Sequence, residues 1–131
     1  MEWYVIAMQR YAQFTGRSRR REYWIFALVN TIIFCVLYTV GITFFFAGQR
    51  PIGIALFAIC FAYALAIIIP GLSCGVRRLH DIGQTGWLML LPLIPAVGGV
   101  ILIVLHLLDS QPGPNQYGPN PKFPVQPMAV R

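Results

Sequence analysis

Charge is scarce in this 131-residue chain: four acidic residues and ten Lys or Arg make 11% charged, against 57% hydrophobic. That is roughly half the charged share of a soluble domain. A water-soluble fold of this length would leave apolar surface uncovered. Cysteine is sparse too. Cys35, Cys60 and Cys74 are odd in number, sit inside apolar runs and form no C-x-x-C pair, so neither a disulfide framework nor a zinc site is indicated. They read as small buried hydrophobes. A cleavable signal is not expected either. The first long apolar run begins near position 24, exceeds the roughly 7–15-residue signal core, and has no cleavage pattern after it.

What the chain has is three long uncharged apolar runs, Trp24–Phe46, Ile52–Val76 and Trp87–Leu108. Each approaches or exceeds the ~20 residues with which an α-helix crosses a bilayer's hydrocarbon core. In lipid the apolar surface needs no cover, and helices satisfy their own backbone groups. The expected fold is an all-α membrane protein: a three-helix transmembrane bundle, an N-terminal interfacial amphipathic helix over 1–14, and an irregular Pro/Gly/Asn-rich polar tail over 109–131. Residues 1–131 form a single membrane domain.

Within that frame the local signals are specific. At about 100° per residue, Glu2, Gln9 and Gln13 share one arc while Tyr4, Ala7, Tyr11 and Phe14 gather opposite. This segment either lies on the membrane surface or packs against the ends of the spans. Thr15-Gly16 breaks the pattern, and Ser18 is placed to cap the next helix, which runs from about Arg20 to Phe46 with Asn30 as its one strongly polar interior residue. The Gly48-Gln49-Arg50-Pro51 turn makes the first two spans antiparallel neighbours. In the second span Ala58, Ala62 and Ala66, followed by Gly71 and Gly75, form a small-residue stripe read as packing within the chain. Pro70 predicts a kink or an early helix end. Pro92, Pro95, Gly98 and Gly99 make the third run either kinked or broken, and with only three spans the kink is favoured.

The net charge of +6 does not point to nucleic acid, because no polar, basic reading surface accompanies it. Arg10, Arg17, Arg19, Arg20 and Arg21 precede the first span, and Arg77 and Arg78 lie between the second and third. Arg50 stands alone between the first two. The positive-inside rule places the two clusters on the cytoplasmic side. Three crossings then put Arg50, Lys122 and the tail outside, and His80 and His106 on opposite sides. A break returning the third run would reverse the tail's placement.

Two polar constellations stand out, Phe14-Thr-Gly-Arg-Ser-Arg-Arg-Arg-Glu-Tyr-Trp24 and Val76-Arg-Arg-Leu-His-Asp-Ile-Gly-Gln-Thr-Gly-Trp87. Both fall on one membrane surface, where unpaired charge is costly, so Arg–Glu and Arg–Asp bridges between them are expected. Their pattern, F-x-G-R-x-x-R-x-E-Y-W, then R-R-L-H-D-x-G-x-[ST]-G-W, then G-x-N-x-Y-G-x-x-P through Gly113, Asn115, Tyr117, Gly118 and Pro121, resembles the small bacterial inner-membrane family known as domain of unknown function 805. Thr85 stands where many relatives have Ser, which keeps a hydroxyl. The resemblance covers nearly the whole chain. It implies a small integral inner-membrane protein and supplies no activity.

The candidate polar cluster or anion contact is Arg17, Arg20, Glu22, Arg77, Arg78, His80 and Asp81. His80 and Asp81 invite an acid–base reading. Adjacent residues seldom serve one atom, and beyond Ser73 or Thr85 no nucleophile is at hand, so charge balance is the preferred role. No cofactor is expected. Three functions compete: a non-enzymatic module contacting anionic lipid or a partner protein through the Arg-rich face, an oligomeric transporter or channel component, and an enzyme acting on a lipid phosphate. The first is preferred, with membrane lipids as partners, a membrane protein or a second copy as further ones, and no nucleic acid.

Overall fold

A computed structural model describes residues 2–123 of the chain. It is all-helical among those residues: α1 (Glu2–Gln9), α2 (Arg20–Phe46), α3 (Arg50–Asp81), a 3₁₀ segment (Gly86–Leu93) and α4 (Gly98–Leu107). Two of the helices, α2 and α3, are long and apolar enough to cross a membrane. They run antiparallel from the tight turn at Ala47–Gln49. Gly41 and Gly53 set their closest approach: a Cβ on Gly53 would lie 2.9 Å from the Gly41 carbonyl oxygen. Between the helices Asn30 accepts the Tyr63 hydroxyl at 2.5 Å and returns its own amide to the Phe26 carbonyl, so this mid-span polar residue is satisfied.

Burial is inverted relative to a soluble domain. Among the described residues the buried hydrophobic side chains are Ala7, Phe26, Cys74 and Leu79, whereas the buried polar or charged ones include Arg17, Glu22, Asn30, Arg77, Arg78, Asp81 and His106. Large apolar side chains along both spans face outward, Leu28, Ile32, Val36, Ile54, Ile59 and Leu65 among them. Core helices of a soluble protein would hide these residues; here hydrocarbon must cover them.

The third apolar run is not a span. It enters as the 3₁₀ segment, turns at residues 94–97 with Ala96 at φ +67°, and returns as α4. The descending arm rises about 16 Å at ~2 Å per residue and the returning arm about 15 Å, half of a ~30 Å hydrocarbon core. Gly98 permits the crossing, since a Cβ there would sit 1.7 Å from the Leu91 carbonyl oxygen. The favoured kinked span over 87–108 is therefore corrected to the broken alternative, a hairpin, and the three-helix bundle to two long apolar helices plus that hairpin. As a consequence, residues 109–123 lie at the same end of the molecule as both arginine motifs, not at the opposite one. His106 likewise packs beside Gly75, on the same end as His80.

Smaller corrections follow from the same geometry. Of the small-residue stripe, Ala58, Ala62 and Ala66 are exposed and do not pack within the chain, whereas Gly75 is buried against Met89 and His106. α3 continues through Pro70 and past Val76 to Asp81, so the helix does not end early at Pro70 and the second motif is helical only as far as Asp81. α1 ends at Gln9, short of Phe14, and docks on the spans through Tyr4 stacked on Phe26 (centroids 5.7 Å) with Ala7 buried beside Cys74. Ser18 does not cap α2. Its amide bonds the Arg77 carbonyl, and Arg19 occupies the cap position without a side-chain bond. The tail is irregular as expected, with 124–131 outside the described residues.

Candidate functional site

The polar end is assembled by four segments: the approach to α2, the last turns of α3, the exit of α4 and the tail. Arg17 organises it. Its Nε donates to Asp81 Oδ1 at 2.9 Å, one Nη donates to the Gly113 and Gly118 carbonyls, and the other donates to the Asp81 and Gln111 carbonyls. All five guanidinium protons are used, the most an arginine can offer. From the other side Arg78 reaches Asp81 Oδ2 at 2.6 Å and also donates to the carbonyls of His106 and Leu108. Ser110 adds a hydroxyl at 2.5 Å to the same carboxylate oxygen. One acid thus serves two arginines, both buried.

A second pair lies beneath. Arg77 Nη1 is 2.6 Å from Glu22 Oε1, with both side chains at most 4% exposed. Its Nε and other Nη have no partner among the described residues, nor has His106 Nε2. His106 packs against Tyr23 with ring centroids 4.2 Å apart and planes tilted by 31°, donates from Nδ1 to the Leu102 carbonyl, and receives the Trp24 indole at its own carbonyl.

His80 does not join the acids. Its ring lies flat on Tyr117, with centroids 3.7 Å apart and planes 5° from parallel, while Nδ1 faces the Gly16 carbonyl. The amide of Asn115 donates to the His80 carbonyl. His80 and Thr85 border an apolar groove of about 560 Å³ walled by Leu72, Val76, Trp87 and Met89. Ser73 is occupied elsewhere, its hydroxyl shared between the Arg10 and Gln13 carbonyls. Among the described residues no cluster of His, Cys, Asp and Glu is placed to hold a metal.

Arg20 is the candidate residue that the interior leaves out. It lines a second concavity, of about 520 Å³, with Arg19, Arg21, Asp109 and Lys122. Arg19 donates to the Pro121 carbonyl and sits 5.5 Å from the Trp3 ring. Lys122 Nζ lies 2.5 Å from Asp109 Oδ1. That contact and the Ser110 amide hold the Asp109 carboxyl below its ordinary range.

The structure thus brings Arg17, Arg78 and Asp81 into one network and Glu22 with Arg77 into another. It sets His80 apart on the tail and turns Arg20 outward. Sequence reasoning missed Asp109 and Lys122, because it placed them across the membrane. The tail's Gly113, Asn115, Tyr117 and Gly118 were the available signal, being the residues that bind Arg17 and His80.

The fold and this end define a small helical membrane protein with a buried charge network at one end. Over residues 11–119 the sequence matches the family described as protein of unknown function DUF805, and the chain belongs to it. It is 35% identical over 123 residues to the inner membrane protein YhaI of Escherichia coli K12, covering 94% of this chain and 98% of that protein. It is 39% identical over 124 residues to the inner membrane protein YhaH of the same strain, with the same coverage. No solved structure matches.

Proposed function

We propose that this protein is a non-enzymatic module of the bacterial inner membrane whose cytoplasmic basic end contacts anionic lipid or an acidic partner protein. The carrying observation is the division of its cations. Arg17, Arg77 and Arg78 are buried and held by acids and carbonyls, whereas Arg19, Arg20, Arg21 and Lys122 line an open concavity. The names of the relatives support the inner membrane. The positive-inside rule supports a cytoplasmic basic end, and the described tail shares that side. Basic residues near an anionic surface contribute about 1 kcal/mol each, so four supply a preference of a few kcal/mol.

The reading differs from a general arginine-face contact in which residues it assigns. Arg20→Gln with Arg21→Gln should reduce co-purified anionic lipid in mixed-lipid nanodiscs while thermal unfolding stays unchanged. Arg17, Arg77 and Arg78 variants should fail by unfolding instead. Retention of anionic lipid at wild-type level by the Arg20/Arg21 variant at low salt refutes the proposal. A second reading, an oligomeric transporter component, draws on the outward row of Ala58, Ala62 and Ala66 and on the re-entrant hairpin. A strictly monomeric protein in nanodiscs excludes it.

A further inference from the structure

We propose that the concavity of Arg19, Arg20, Arg21, Lys122 and Asp109 is a discrete phosphate-monoester site, in which Asp109 holds the place that a dianionic head group takes. This rests on the reading that the basic end meets anionic lipid, and it names the chemistry that end selects. The site is composite: α2 supplies the start of its wall, the exit of α4 supplies Asp109, and the tail supplies Lys122. Four cations against one carboxylate leave three positive charges around a space of about 520 Å³, within the size of small-ligand pockets.

Three features favour a dianion. Among the described residues neither the Arg20 nor the Arg21 guanidinium donates a hydrogen bond, so two planar forks are free for phosphate oxygens. No side chain caps the start of α2, so its first N–H groups add partial positive charge there. Among the described residues the Lys122 ammonium is engaged only with Asp109, whose side chain is 62% exposed, and such a pair is weak and readily exchanged. A phosphate monoester brings two charges and three terminal oxygens, enough to replace Asp109 on Lys122 and still meet both forks. A phosphodiester brings one charge and two free oxygens, and gains less over the resident carboxylate. Because the apolar run begins at Trp24, three residues after Arg21, the source placed at this site is a membrane lipid.

The test uses the full chain in phosphatidylcholine nanodiscs with phosphatidic acid or phosphatidylglycerol, read by native mass spectrometry across a lipid titration. Wild type should retain phosphatidic acid at least several-fold better. Arg20→Gln with Arg21→Gln should lower that retention about tenfold. Asp109→Asn should raise retention of both lipids, and of phosphatidylglycerol more, so that discrimination narrows as the resident negative charge is removed. Inorganic phosphate and glycerol 3-phosphate at millimolar concentration distinguish the source: no displacement supports a lipid head group, and full displacement overturns that assignment in favour of a free phosphate. Equal retention of the two lipids with no effect of Asp109→Asn overturns the site while leaving general anionic contact standing. Absence of any anionic enrichment overturns both.

Discussion

Replacing Asp81 with Asn keeps the side chain's size and removes the charge on which the polar end closes. In the native structure the carboxylate accepts from Arg17 at 2.9 Å, from Arg78 at 2.6 Å and from Ser110 at 2.5 Å, and all three charged side chains are at most 1% exposed. Glu22 is committed to Arg77. Asn therefore leaves two buried guanidinium charges without a counter-ion and turns one acceptor into a donor facing donors. Breaking a single buried pair from one side costs about 3–5 kcal/mol. With two arginines stranded by one change, the upper part of that range is expected, a shift of about three orders of magnitude in the unfolding equilibrium. Thermal unfolding and SDS titration in mild detergent measure it. If stranded charge is the cause, adding Arg17→Met to Asp81→Asn should cost less than the sum of the two single variants. An Asp81→Asn protein within 1 kcal/mol of wild type, or strictly additive behaviour in the double variant, refutes the reasoning.

The two long apolar helices and the joining turn were legible because turn residues separate two sustained apolar runs, and α2 begins and ends where its pattern does. The pairing of Arg with Glu and Asp across the two motifs was legible for a similar reason: a low-dielectric border leaves few alternatives. The third run was not. Its residues are uniformly apolar, and Pro92, Pro95, Gly98 and Gly99 suit a kink as well as a break. What favours the break lies outside the run. Only when the hairpin returns can Gln111, Gly113 and Gly118 offer Arg17 their carbonyls and Tyr117 reach His80. Which arginines turn inward was equally hidden, since Arg17 and Arg20 are three residues apart and differ in what the end of α3 and the distant tail bring to them. The alanine row misled because lipid imposes no hydrophobic penalty on an outward small residue, so its spacing carries no direction.

Tyr117→Ala should release the tail from His80 and raise amide exchange over residues 111–120, whereas Tyr117→Phe keeps the ring and the protection. Equal exchange in both variants rejects stacking as the fastener. Gly98→Ala and Gly99→Ala form a matched pair: the first places a methyl 1.7 Å from the Leu91 carbonyl and should lower folded yield and thermal stability, while the second meets nothing within 4 Å and should be tolerated. Similar behaviour of the pair counts against the closed hairpin. The return of the chain is tested most directly by labelling in whole membranes, with Cys35, Cys60 and Cys74 first replaced. A re-entrant third run leaves Gln116 on the same side as Gln13, because only then can Arg17 hold Gly113 and Gly118; Gln49, in the turn between the spans, lies across the bilayer. A membrane-impermeant maleimide should therefore treat Gln13→Cys and Gln116→Cys alike and Gln49→Cys oppositely. Labelling of Gln116→Cys together with Gln49→Cys requires a full third crossing, and with it the Arg17 network, the His80 stack and the composite phosphate site could not form.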